Sequence, residues 1–128
     1  MNWTIKLYDN EHYLLVTTQG RFSLEEQRKM FQDVTKFSGW CKCKPILFDN
    51  RLLELKDTNP EIMRESARIN HHFIIETGVQ RIAGLVNDGA NFGVGRQFAV
   101  LFDLVGGNGF RLFKDWVLAV KWLKSEID

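Results

Sequence analysis

The sequence has few of the residues that cross-link a chain or break it into separate segments. Its only cysteines are Cys41 and Cys43, and a disulfide across one intervening residue would be strained. We therefore expect reduced thiols and a cytoplasmic protein. Two prolines in 128 residues, with no stretch rich in proline or serine, leave no candidate linker. This predicts one domain over residues 1–128.

Long apolar runs and an excess of one charge are also absent. No stretch approaches the roughly 20 apolar residues that cross a bilayer, and Met1–Lys6 lacks a basic region followed by an apolar run. We expect neither a transmembrane segment nor a secretory signal. The formal net charge is +1, with basic and acidic residues mixed along the chain. This predicts no binding to nucleic acid.

Aromatic residues, in contrast, are plentiful. The ten phenylalanines and four tryptophans supply large side chains for a core, and any surplus allows an interface or a homodimer. Trp40 and Trp116 are the candidates for interface contacts, because one lies in a predicted loop and the other at a predicted helix start. Either can instead cover one end of the core, and both interpretations stay open.

Apolar periodicity predicts a hairpin followed by strands that alternate with helices. Strands are predicted around Trp3–Leu7, Tyr13–Val16, Pro45–Phe48, Ile82–Val86 and Phe110–Phe113. Ser23, Asn59 and Asp115 are typical N-caps of helices, and Gly78 is a typical C-cap. A third helix is predicted over Phe92–Val105. The order ββαβαβαβα predicts an α/β sandwich with a mixed, mostly parallel five-stranded sheet and helices packed on it.

Three segments, together with this order of elements, resemble a known superfamily. Asp49-Asn50-Arg51 follows a strand, Asn91-Phe92-Gly93 precedes Arg96-Gln97-Phe98, and Arg111-Leu112-Phe113-Lys114-Asp115 precedes Ala119 and Trp122-Leu123. The chain is similar to the STAS superfamily of sulphate-transporter and anti-sigma-factor-antagonist domains, and to its small stand-alone bacterial members.

The resemblance implies a STAS-like fold and a non-enzymatic regulatory or protein-interaction module with an unknown protein partner. Typical anti-sigma antagonists carry a phosphorylatable serine directly after an aspartate at the end of the third strand. Here Asn50 follows Asp49, and no hydroxyl comes before Thr58. We therefore expect no phosphorylation switch of that type.

The carboxyl ends of the parallel strands predict a second possibility, a small-ligand site. Glycines there would let a ligand approach the backbone, and arginines can hold a phosphate or carboxylate. An anionic or amphipathic ligand, such as a nucleotide or a lipid, fits this chemistry. The candidate ligand-binding residues are Asp49, Asn50, Arg51, Asn87, Asp88, Gly93, Gly95 and Arg96.

The same residues also have purely structural interpretations. Asp49 can brace a loop, Asn87-Asp88-Gly89 can form a turn, and Arg96 can pair with Asp88. An enzyme using Asp49 or Asp88 is a third alternative, although the sequence shows no catalytic set. His71 and His72 are adjacent on one helix and cannot hold one metal ion together. We therefore predict no metal site and no cofactor.

Overall fold

The computed structural model describes residues 1–8, 12–37 and 44–125. Trp40, Cys41 and Cys43 therefore lie outside the described residues. The elements are β1 (Asn2–Tyr8), β2 (Tyr13–Arg21), α1 (Leu24–Lys36), β3 (Ile46–Glu54), α2 (Pro60–Thr77), β4 (Ile82–Leu85), α3 (Ala90–Leu104), β5 (Phe110–Phe113) and α4 (Trp116–Lys124). This confirms the predicted order ββαβαβαβα.

The five strands form one sheet in the order β1-β2-β3-β4-β5. β1 is antiparallel to β2, and the other neighbouring strands are parallel. The predicted mixed, mostly parallel sheet is therefore confirmed. α1, α2 and α3 lie on one face of the sheet, as expected for right-handed crossovers between consecutive parallel strands. We call this face the three-helix side and the opposite face the α4 side.

Each face of the sheet carries its own apolar core. Leu14, Val16 and Ile46 pack with α1 and α2 on the three-helix side. Leu15 and Leu47, their neighbours along the strands, pack with Ala119 and Leu123 of α4 on the other side. Successive side chains of a strand point to opposite faces, which explains why residues 13–16 of β2 and 46–48 of β3 are apolar at consecutive positions.

The helix ends follow local sequence signals. The side chains of Ser23, Asn59 and Asp115 accept hydrogen bonds from the backbone N–H groups three residues further on, at 3.3, 2.9 and 3.1 Å. Gly78 ends α2 in the left-handed conformation, with φ 73°, where a side chain would add strain. α3 begins at Ala90, two residues before the predicted start.

β3 is longer than predicted. The expected strand ended at Phe48, but β3 continues to Glu54, so Asp49, Asn50 and Arg51 lie within it. Thr17 pairs with Asp49 and Gln19 with Leu52, so two β3 residues lie opposite Thr18 in a β-bulge. The prediction was wrong because β3 pairs with β2 beyond the point where β4 ends.

In the described part of the chain, no helix has the combination of length and apolar character that crossing a bilayer requires.

Candidate functional site

The β-bulge positions the first group of candidate residues. Arg51 donates two hydrogen bonds to the carboxylate of Asp49, from Nε to Oδ1 and from Nη2 to Oδ2, both at 2.9 Å. The side chain of Asp49 is 12% exposed and that of Arg51 is 42% exposed. The hydrogen bond to Asp49 raises the pKa of Arg51, against the smaller lowering effect of its partial burial.

This bidentate pair uses the Nε–Nη2 edge of the guanidinium, one of the two edges with which an arginine can hold an anion through two hydrogen bonds. The geometry favours the interpretation that Asp49 is a brace, although it braces Arg51 in a strand rather than a loop. Asn50 points to the three-helix side, where its Oδ1 accepts a hydrogen bond of 2.6 Å from the hydroxyl of Thr18. A ligand-binding role for Asp49, Asn50 and Arg51 stays a prediction.

The second group follows β4. Asn87 Nδ2 donates a hydrogen bond of 3.0 Å to the backbone oxygen of Arg51, which ties this segment to β3. The next residue, Asp88, is 81% exposed and pairs with Lys114 Nζ at 2.9 Å. The structural alternative in which Arg96 pairs with Asp88 is therefore not formed, because this carboxylate pairs with Lys114, directly after β5.

The third group belongs to α3. Arg96 lies over the ring of Phe92 with Cζ 6.0 Å from its centre, and Lys114 Nζ lies 4.6 Å from the same centre. Within the described ranges, no carboxylate pairs with Arg96. A series of contacts through Asn87, Asp88, Lys114 and Phe92 thus joins Arg51 to Arg96 along the carboxyl ends of the parallel strands.

The two candidate glycines of α3 differ in their surroundings. Gly93 is exposed, and a Cβ there would meet nothing within 4 Å. Gly95 is buried, and its Cβ would lie 3.0 Å from Cδ1 of Leu112 in β5. The absence of a side chain at Gly95 thus allows α3 to pack closely on β5, and a role of either glycine in ligand binding stays a prediction.

Trp116 lies beside the bulge, on the α4 side. Its ring is edge-on to that of Tyr8, with 5.9 Å between the centres, and Arg51 Cζ lies 5.7 Å from its centre. Leu52 and Val117, the chain neighbours of Arg51 and Trp116, are 65% and 70% exposed. We call Tyr8, Arg51, Leu52, Trp116 and Val117 the α4 patch. Sequence reasoning identified Trp116 and Arg51 but missed the other three.

Sequence reasoning also missed a group of buried polar residues on the three-helix side. Gln27, Ser66 and Asn70 are 7%, 2% and 7% exposed, and together with Asn50 they line an internal cavity of about 80 Å³. Ser66 and Asn70 fall on the apolar stripe of α2 between Met63 and Phe73. Polar residues at inward-facing helical positions were the signal for this site.

The two carboxylates of the enzyme alternative lie in contrasting places. Both oxygens of Asp49 accept hydrogen bonds from Arg51, whereas Asp88 is exposed on the surface. Among residues 1–8, 12–37 and 44–125, no cluster of three or more histidine, cysteine or acidic residues could hold a metal ion.

Comparisons with known proteins support the fold. No family model and no curated protein match the sequence. A similar solved structure is that of an uncharacterized protein from the DUF3478 family with a SpoIIAA-like fold, from Shewanella loihica PV-4. The TM-score is 0.53 over 95% of this chain and 92% of that chain, with 19% sequence identity. The chain thus has a SpoIIAA-like fold, which confirms the STAS-like fold that the resemblance implied.

Proposed function

We propose that this SpoIIAA-like chain is a non-enzymatic regulatory module that binds another protein through the α4 patch. The observation that carries the proposal is the exposure of Leu52 and Val117, which are the chain neighbours of Arg51 and Trp116, two side chains in contact with each other. Adjacent exposed apolar side chains are typical of interaction sites, and tryptophan, tyrosine and arginine are enriched among the residues that dominate binding energy.

The α4 patch is held in place before any partner binds. Trp116 contacts both Tyr8 and Arg51, and Arg51 is in turn fixed by two hydrogen bonds to Asp49. Side chains that are already ordered lose less conformational entropy on association. In this proposal Asp49 positions Arg51 and does not itself touch the partner.

The proposed module differs from a phosphorylation-switched antagonist. Asn50 stands where those proteins have a serine, and its side chain accepts a hydrogen bond from Thr18 inside the fold. The next hydroxyl along the chain, that of Thr58, donates a hydrogen bond of 2.6 Å to the backbone oxygen of Leu55. We propose that partner binding is not controlled by phosphate at residue 50.

Site-specific photo-cross-linking in the native host tests this proposal. A photoreactive residue at Val117 should capture a partner protein, whereas the same residue at Ile75, which is 66% exposed on α2, should not. Leu52→Glu should weaken the capture at least about tenfold, because it places a charge in an apolar contact. Ile75→Glu is the matched control.

Equal cross-linking at both positions, or no product at Val117, would contradict the proposal. A product of twice the chain mass would show instead that the α4 patch binds a second copy of the chain, which is the homodimer that the aromatic content allows.

A small anionic ligand at the strand ends is the second candidate function. It is supported by Arg96 and Lys114, which both lie over the ring of the half-buried residue Phe92, while Arg96 has no carboxylate partner in the described residues. Inorganic phosphate and adenosine monophosphate should raise the melting temperature of the wild-type protein. Arg96→Gln should abolish this shift, and Arg64→Gln, at an exposed site on α2, should leave it unchanged. An identical shift in Arg96→Gln would exclude this site.

A further inference from the structure

The internal cavity lies on the three-helix side, away from the α4 patch. It has a volume of about 80 Å³, is partly open to the surface, and lies between the sheet and α1, α2 and α3. Phe22 and Leu55, which follow directly after β2 and β3, also line it. The cavity therefore reaches the carboxyl ends of parallel strands, where α/β sheets bind ligands.

Some polar side-chain atoms in the cavity wall form no hydrogen bond with the described residues. Ser66 Oγ donates to Gln27 Oε1 at 3.0 Å, and Asn70 Nδ2 donates to the backbone oxygen of Ser66 at 2.8 Å. Asn50 uses its Oδ1 to accept from Thr18. As far as the described residues extend, Gln27 Nε2, Asn50 Nδ2 and Asn70 Oδ1 have no protein partner.

Gln27 and Asn70 are both buried, and a half-used amide on a buried side chain destabilises the fold unless something else completes its hydrogen bonds. The free groups are two donors, on Gln27 and Asn50, and one acceptor, on Asn70. A molecule that carries a carbonyl oxygen next to an N–H or O–H group complements this set.

The other side chains that line the cavity are apolar. Phe31, Phe48 and Phe98 line the cavity, and within the described residues no ionisable side chain does so. A buried charge without a partner of opposite sign is strongly unfavourable, so the part of a ligand that enters must be neutral. This distinguishes the cavity from the strand-end edge with Arg96 and Lys114.

We propose that the cavity binds a small neutral amphipathic molecule, with a primary amide or a chemically equivalent group at its polar end. The carbonyl oxygen accepts from Gln27 and Asn50, the N–H donates to Asn70, and an alkyl or aryl group packs against the phenylalanines. The volume holds on the order of six groups of the size of water, which restricts the buried part to a short chain.

Hexanamide is the probe for this proposal, with hexanoate as the charged analogue of the same length. At ten times its dissociation constant, hexanamide should raise the melting temperature by about 5 °C, and hexanoate should leave it unchanged. Gln27→Met and Asn70→Leu keep the approximate shape of each side chain and should weaken binding at least about tenfold. Gln32→Met, on the exposed face of α1, is the matched control.

The side-chain NH₂ signals of Gln27 and Asn50 in wild-type protein give a readout that needs no variant to fold. Both should shift in ¹H–¹⁵N spectra on titration with hexanamide. Unchanged signals would overturn the proposal and leave the cavity as a site for water alone, and so would a melting shift that Gln27→Met and Asn70→Leu retain. Cross-linking at Val117 reports on the opposite face of the sheet, so the two proposals succeed or fail separately.

Discussion

At the scale of single residues, the pair of Arg51 and Asp49 has unequal exposure, and this predicts unequal effects of mutation. Arg51→Met leaves a carboxylate that is 12% exposed without its partner and should destabilise the protein by about 1–3 kcal/mol. Asp49→Asn leaves Arg51, which is 42% exposed and can be hydrated, and should cost less than about 1 kcal/mol. Urea denaturation of both variants measures the difference, and the reverse order would contradict this account.

The pH dependence of this pair follows from the direction of the pKa shift. Because the pKa of Arg51 is raised in the folded state, its contribution to stability is complete below the ordinary pKa of arginine and is lost only as the pH rises through the higher folded value. The stability difference between wild-type protein and Arg51→Met should therefore stay constant between about pH 6 and 9. A difference that falls within this range would show that another group controls it.

The sequence identified Asp49, Asn50 and Arg51 as candidate site residues, but it did not predict that they lie within β3 or where their side chains point. The bulge that turns Asn50 toward the cavity and Arg51 toward Trp116 depends on Thr18, in a different strand. A run of polar residues after an apolar run is typical of a loop, and only the partner strand shows that it is not one. The contact of Tyr8 with Trp116 was not predicted for the same reason, since the two residues are far apart in the sequence.

At the scale of elements, we expect alanine at two glycine positions to change the stability of the protein in opposite directions. Gly109, just before β5, has φ 85°, and a Cβ there would lie 2.4 Å from the backbone oxygen of Gln80. Gly109→Ala should destabilise the protein by about 2–4 kcal/mol. Gly93→Ala places a methyl group in open space on a helix and should stabilise it by up to about 1 kcal/mol. Thermal unfolding of both variants tests this, and a stable Gly109→Ala protein would contradict it.

Elements whose signals are local were the ones that could be predicted. Ser23, Asn59 and Asp115 each cap a helix through a backbone group three residues away, so the sequence contains both partners of each bond in one short segment. The cavity was not predictable in this way. Gln27 and Ser66 meet across two helices, and each looks like an isolated polar residue on its own amphipathic helix.

At the scale of the whole molecule, α4 covers a core that shares its strands with the three-helix side. Leu47 packs toward α4 while its neighbours Ile46 and Phe48 pack toward the other helices. The two cores are therefore coupled through the backbone of β3, and we expect them to unfold in a single transition.

Ala119→Asp tests this coupling. Ala119 is fully buried between α4 and the sheet, so an aspartate there puts an unpaired charge in the core and should lower the free energy of unfolding by more than about 3 kcal/mol. Lys121→Asp, on the exposed face of the same helix, should cost less than about 1 kcal/mol.

In urea, the NMR signals of Val34, on the three-helix side, and of Leu123, in α4, should disappear at the same concentration in the wild-type protein. In Ala119→Asp both signals should disappear together at a lower urea concentration. If Val34 kept its native signal after Leu123 had lost its own, the three-helix side would be stable without α4, and the internal cavity would then persist after Trp116 and Val117 had left the α4 patch.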